Sequence, residues 1–135
     1  MVAESIGDRK VEASERLAKE LIRRGSPLLA SYWEYREDEG RWTLMLVPTS
    51  PEEEHRLIKE ATALLVETPY RSAFSLSDPA VDARQIERAR ALGAYIRVKP
   101  YVGRRIDTTF TGGQYFESVV PVYLAPELIT HLRVA

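Results

Sequence analysis

The stretch LLASYWEYREDEGRWTLMLVP, Leu28 to Pro48, decides the fold. It reads as a β-hairpin, because strand side chains alternate with a period of two and both arms carry an alternating apolar row. In the first arm Leu29, Ser31, Trp33 and Tyr35 share a face opposite Ala30, Tyr32, Glu34 and Arg36. In the second, Trp42, Leu44 and Leu46 lie opposite Arg41, Thr43 and Met45. The apolar rows meet on one face only if the numbers of facing residues sum to an odd value, and a one-residue slip sends one row to water. Two loops satisfy this. A two-residue turn at Glu39-Gly40 sets Asp38 against Arg41, whereas a four-residue loop from Glu37 to Gly40 sets Arg36 against Arg41. Like charges directly opposite are unfavourable, so the shorter loop is expected, with Gly40 supplying the positive φ of a tight turn. Trp33, Tyr35 and Trp42 can bury roughly 150 to 250 Å² each, which makes their face the expected seat of the core.

Helices flank the hairpin. Residues 1–7 are expected to be flexible, and Ser5 or Asp8 caps a helix to about Arg24, with Val11, Ser14, Leu17, Ala18, Leu21 and Ile22 on one face and Gly25 and Pro27 beyond its end. Downstream, Ser50, Pro51 and the acids Glu52 to Glu54 form a helix start with a capping box between Ser50 and Glu53. Leu57, Ile58, Ala61, Leu64 and Leu65 then form an apolar stripe, ending near Glu67.

Arg71 to Leu76 reads as a short strand or connector. Ser77-Asp78-Pro79 repeats the cap-then-proline signature, predicting a third helix with Val81, Ile86, Ala89 and Leu92 inward and Gly93 as its stop. Ala94 to Lys99 alternates as a strand up to Pro100. Arg105 to Thr111 and Gln114 to Leu124 form a second hairpin about Gly112-Gly113. Pro121, which cannot donate a ladder hydrogen bond, marks an edge or a bulge, and Leu128, Ile129 and Leu132 in a last helical turn cover one end of the core. The expected fold is a single α+β domain over residues 1–135. It has a mainly antiparallel sheet of five or six strands built from two hairpins, and three helices packed mostly on one face.

Composition narrows the chemistry. With 135 residues the chain has the length of one domain. A hydrophobic fraction of 44%, a charged fraction of 29% and no apolar run of bilayer length predict a protein that does not span a membrane. Residues 1–16 lack the apolar centre of a secretory signal, and cysteine is absent, so a cytoplasmic location is expected. The absence of cysteine excludes disulfides, a thiol nucleophile and cysteine-ligated zinc or iron-sulfur clusters, and two histidines exclude a histidine-rich metal centre. No cofactor or metal is expected.

Three groups of residues invite a functional reading. Arg84 to Arg105 holds seven basic residues against one acid, and Arg88, Tyr95, Arg97, Lys99, Tyr101, Arg104 and Arg105 combine cations with aromatics as single-strand nucleic-acid binders do. A solvated basic face is the alternative. On the second hairpin face Tyr32, Glu34, Thr43 and Met45 are semi-polar, a composition suited to a partner-covered surface or to ordinary solvation. The third group, Glu52-Glu53-Glu54-His55, is already explained by the helix start. No serine elbow or phosphate loop occurs, and Gly112-Gly113 lacks the lysine of the latter.

The expectation that follows is a non-enzymatic binding module, self-associating as a homodimer or pairing with another protein through an exposed sheet face and an edge near Pro121. Nucleic-acid binding through residues 84–105 is the alternative. An enzyme acting on an anionic small molecule, with arginine clamps and Glu34, Asp107 or Glu117 as acid-base groups, is a further one.

Overall fold

A computed structural model of the chain describes residues 6–75, 78–98 and 105–130. Leu28–Arg36 (β1) and Arg41–Pro48 (β2) form the hairpin, with Trp33 facing Leu44 and Tyr35 facing Trp42, so the aromatic rows share a face as the odd-sum register requires. The loop is the longer one, with Arg36 opposite Arg41. Two backbone contacts close it, from Glu39 N and Gly40 N to the Arg36 carbonyl at 3.1 and 2.8 Å, and Gly40 has φ 66°. Glu34 and Glu39 approach the Arg36 guanidinium at 3.8 and 3.9 Å, offsetting part of the repulsion from Arg41. A second departure lies at the other end. The register shifts between Leu28 and Ala30, which moves Leu29 to the Tyr32 face and leaves Leu28 beside Trp33 in the opposite core.

The remaining elements are α1 (Asp8–Arg23), α2 (Glu54–Leu65) after a 3-10 turn at Pro51–Glu53, α3 (Thr68–Arg71), β3 (Pro79–Val81), α4 (Ile86–Val98) after a 3-10 turn at Ala83–Gln85, β4 (Ile106–Thr111), β5 (Gln114–Leu124) and α5 (Pro126–Thr130). The α+β class holds. Among the described residues the chain forms one sheet of five strands in the order β3-β2-β1-β5-β4, antiparallel except for the parallel β2–β3 contact, with five α-helices in place of the three expected.

The helices also lie on both faces of the sheet. Leu17, Ala18 and Leu21 of α1, Leu57, Ala61 and Leu64 of α2 and Tyr70 of α3 pack with Trp33, Leu44, Leu46, Val120 and Val122. Ala89, Leu92 and Ile96 of α4 and Leu128 of α5 pack with Leu29, Tyr32, Met45, Val47, Phe116 and Val119. The reason is visible in β2: Leu44, Met45, Leu46 and Val47 are all buried, and a strand apolar on both sides needs cover on both. The second core therefore occupies the face expected to be exposed.

Two elements change type. Pro79, expected to open a helix, opens a short edge strand: Leu44 N donates to the Asp78 carbonyl at 2.7 Å and Asp82 N to the Leu46 carbonyl at 3.2 Å. Proline is tolerated at the first residue of an edge strand. The helix starts later and runs through Gly93 to Val98, replacing the expected strand from Ala94 as far as the described residues go, because Ile96 continues the Ala89–Leu92 stripe, and Lys99 lies outside them. Gly93 is a contact residue and no stop: a Cβ there would lie 2.9 Å from Leu128 Cβ and 3.0 Å from its carbonyl oxygen.

Around Arg71 to Leu76, Arg71 closes α3 and Ser72 to Ser75 form a connector, while Leu76 lies outside the described residues. Residues 1–5 and 131–135, including Leu132, lie outside them as well. Pro121 sits in β5, an interior strand, where the β1 pairing shifts between Ser31 and Tyr32, so it marks a bulge and not the edge. The second hairpin forms as expected, with Thr111 opposite Gln114 and positive φ at both Gly112 and Gly113. No described helix is long and apolar enough to cross a membrane.

Candidate functional site

The hairpin register builds the site. On the α4 face of the sheet Tyr32 is paired with Met45, Glu34 with Thr43 and Arg36 with Arg41, three successive cross-strand pairs. Tyr32 and Met45 lie under α4, within the buried core. Beyond them the face opens into a recess of about 230 Å³, floored by Glu34, Arg36, Arg41 and Thr43. Ala80 on β3 and Asp82, Arg84 and Gln85 at the turn into α4 form its far wall, and Glu39 stands at the loop. The residues expected to form an interface, Tyr32, Glu34, Thr43 and Met45, are thus contiguous, but they are not an exposed sheet face: Tyr32, Glu34 and Met45 are buried and Thr43 is half-buried.

Glu34 is the centre of the recess. It is 4% exposed. Its Oε2 pairs with Arg88 Nη2 across from α4, and Arg88 Nη1 donates to the Tyr115 carbonyl at 2.9 Å while its guanidinium lies over the Phe116 ring at 4.1 Å. The other oxygen, Oε1, accepts no hydrogen bond from any described residue, and Arg36 Nη2 is 3.8 Å away. Burial pushes the Glu34 carboxyl above the ordinary range, with Arg88 and Arg36 pulling the other way and Glu117 and Glu39 adding to the rise. The Tyr32 hydroxyl donates to Gln85 Oε1 at 3.2 Å, and burial pushes its pKa upward too, so it stays protonated.

Three arginines, Arg36, Arg41 and Arg84, and three acids, Glu34, Glu39 and Asp82, line the recess. Arg41 is exposed and makes no ion pair or hydrogen bond among the described residues, and Arg84 is held by Asp82 through Nε at 3.0 Å. Arg36 and Arg41 are therefore opposed in the register, and among the described residues Arg36 forms loose ion pairs with Glu34 and Glu39 at 3.8 and 3.9 Å. Such an arrangement can take an anion between two guanidinium forks.

The basic window does not assemble. Arg88 is spent on Glu34. Arg105 pairs with Asp107 at 2.7 Å, reaches Ser118 Oγ at 3.3 Å and lies over the Trp42 ring, which packs with the core on the other side of the sheet. Tyr95 packs half-buried against the α4 core. The Arg97 side chain, Lys99, Tyr101 and Arg104 lie outside the described residues. Asp107 is held below the usual carboxylate range by Ser118 and Arg105, and Glu117 accepts from Glu37 N at 2.9 Å, so neither joins Glu34 in the recess. Glu53 pairs with Arg56, and Glu54 accepts from Ala83 N at 2.7 Å, structural roles for two of the three acids at the start of α2. Among the described residues no three acidic or histidine side chains converge as a metal site.

Sequence reasoning missed Arg36, Arg41, Arg84 and Gln85 as site residues. For the first two the signal was present: their facing positions in the longer loop were the reason for preferring the shorter. Comparison with known protein families, curated proteins and solved structures finds no match, so what the chain does must be argued from the recess itself.

Proposed function

We propose that the protein is a binding module for a small anionic molecule, held in the recess between Arg36 and Arg41 above Glu34. One observation carries this reading: two arginines form a directly opposed cross-strand pair and both line a recess, in a register that costs repulsion and that an anion would relieve. The proposal keeps a binding role and moves it from an open sheet face to a concave site. An enzyme acting on an anionic substrate would use the same contacts, with Glu34 as its acid-base group.

The test is a titration of isotopically labelled protein with acetate and with inorganic phosphate, followed by NMR. Resonances of Arg36, Arg41 and Thr43 shift on a common curve, and Arg41→Ala, a change at an exposed position, weakens binding roughly tenfold, the effect of losing one charge-assisted hydrogen bond. Absence of any shift in these residues at low ionic strength ends the reading.

A second reading, pairing with another copy of this chain, draws support from the outer strand of the sheet. Among the described residues β4 has one neighbour, β5, and Phe110 and Tyr115, opposite each other in that hairpin, are 73% and 49% exposed. An edge strand with large exposed apolar side chains is a template for strand pairing, and a two-fold arrangement would cover Phe110 of both copies. Sedimentation would show a dimer converted to monomer by Phe110→Ser; a monomer for the unaltered chain at high concentration refutes it.

A further inference from the structure

A second concavity, of about 410 Å³, shares no lining residue with the recess. Leu65 and Val66 at the end of α2, Phe74 in the connector and Pro79 at the start of β3 give it apolar walls, and Arg71 of α3 stands among them. Thr62 and Ser75 complete the lining, which holds no acidic side chain among the described residues. The walls are held from behind: Phe74 lies against the buried Trp33, 6.1 Å between ring centroids, and Leu65 packs on the same core. Val66, by contrast, is an apolar side chain left 61% exposed.

Arg71 is placed by its neighbour. Tyr70 is buried in the core, and Arg71 N donates to the Glu67 carbonyl at 2.9 Å, so the short helix leaves Arg71 exposed at the groove. Among the described residues its side chain makes no ion pair or hydrogen bond, whereas Arg23, Arg56 and Arg84 each hold a carboxylate. Apolar walls and an uncommitted guanidinium in one groove ask for an occupant with an apolar body and one anionic head. The volume falls at the small end of ligand sites, about 300 to 1,000 Å³, so the body is a chain of moderate length.

We propose that this groove binds a medium-chain carboxylate, its chain along Leu65, Val66, Phe74 and Pro79 and its head on Arg71. Removing chain methylenes from water supplies the affinity, and the guanidinium fork selects the head. The site is independent of the anion recess and stands or falls without it.

The test titrates the unaltered protein with butyrate, hexanoate, octanoate and 1-octanol below micelle-forming concentrations, and reads the Leu65, Val66 and Phe74 side chains by NMR. None of these lines the recess, so binding there is read separately. Affinity is expected to rise by up to about fourfold per added methylene, the effect of burying it. Octanol is expected to bind roughly fivefold or more weakly than octanoate, because it lacks the charge-assisted hydrogen bonds to Arg71. Arg71→Gln, at an exposed position and checked by thermal melting, is expected to bring octanoate to the octanol level and leave octanol unchanged. Equal affinity for octanol and octanoate, or an octanoate affinity untouched by Arg71→Gln, overturns the proposal. So does the absence of shifts with every probe. Shifts of the same resonances with protein concentration alone would assign the groove to a second copy of the chain and overturn it as well.

Discussion

Replacing Arg88 by methionine tests whether the Glu34–Arg88 pair is the ionic centre described above. The substitution keeps an unbranched apolar stem against Phe116 and removes the only described group that pairs with Glu34 Oε2. Breaking a buried ion pair from one side costs about 3 to 5 kcal/mol, because the remaining charge stays in the interior unpaired. The hydrogen bond to the Tyr115 carbonyl and the ring contact are lost together with it, and since all three belong to one side chain they are not added separately. Against a domain stability of about 5 to 15 kcal/mol, this is a large fraction. With a urea slope of about 2 kcal/mol/M, the midpoint of unfolding should fall by about 1.5 to 2.5 M at neutral pH.

The pH dependence gives the more searching test. Burial already raises the Glu34 carboxyl, and losing Arg88 raises it further. A native state with the higher pKa binds more protons than the unfolded chain, so the contribution is fully present below the unfolded pKa and is lost as pH rises through the folded one. The deficit of Arg88→Met should therefore shrink between pH 7 and pH 5. A deficit below about 1 kcal/mol at pH 7, or one identical at the two pH values, would mean that Glu34 is not an ionised partner of Arg88, and the reasoning fails.

Three further outcomes follow from the packing. Gly93→Ala should lower the melting temperature although alanine favours helix by about 1 kcal/mol, because its Cβ would lie 2.9 Å from Leu128 Cβ and overpacking costs about 1 to 3 kcal/mol. Gly112→Ala should cost more than Gly113→Ala in a denaturation series: both positions have positive φ, but only at Gly112 would the new Cβ meet Ala91, at 2.7 Å. The carboxyl of Glu20 is held down from 4.5 to about 2 by hydrogen bonds from Arg23 and Arg24. Its stabilising effect is present above the unfolded value and fades as pH falls toward 2, and a carbon-detected NMR titration should show the midpoint rising when salt screens these exposed pairs.

Much of the fold is legible in the order of residues because period and punctuation agree there. The hairpin parity, the Gly112-Gly113 turn, the Leu57–Leu64 stripe and the stop at Gly25 each rest on a local rule that tertiary structure had no reason to override. The failures share a cause. Pro79 and Gly93 carry signals with two meanings: a proline opens helices and also edge strands, and a glycine ends helices and also admits a close neighbour. Only Leu128, thirty-five positions beyond Gly93, decides between the two for the latter. Layering was misjudged for a different reason. Met45 and Val47 alternate with Leu44 and Leu46, so β2 is apolar on both faces, and a strand of that kind predicts cover on both sides.

The site was hidden by a rule applied correctly. Arg36 opposite Arg41 is unfavourable, by about 0.2 to 1 kcal/mol for a pair of like charges, and on local grounds the shorter loop is better. The folded chain keeps the worse register, and the two arginines it sets face to face stand beside a carboxyl that is buried, raised in pKa and half-partnered. Local consistency is normally what specifies a fold, and its violation concentrates where a surface is shaped for something else. On the anion-binding proposal the opposed Arg36 and Arg41 are such a violation, kept by the folded chain in the lining of a recess.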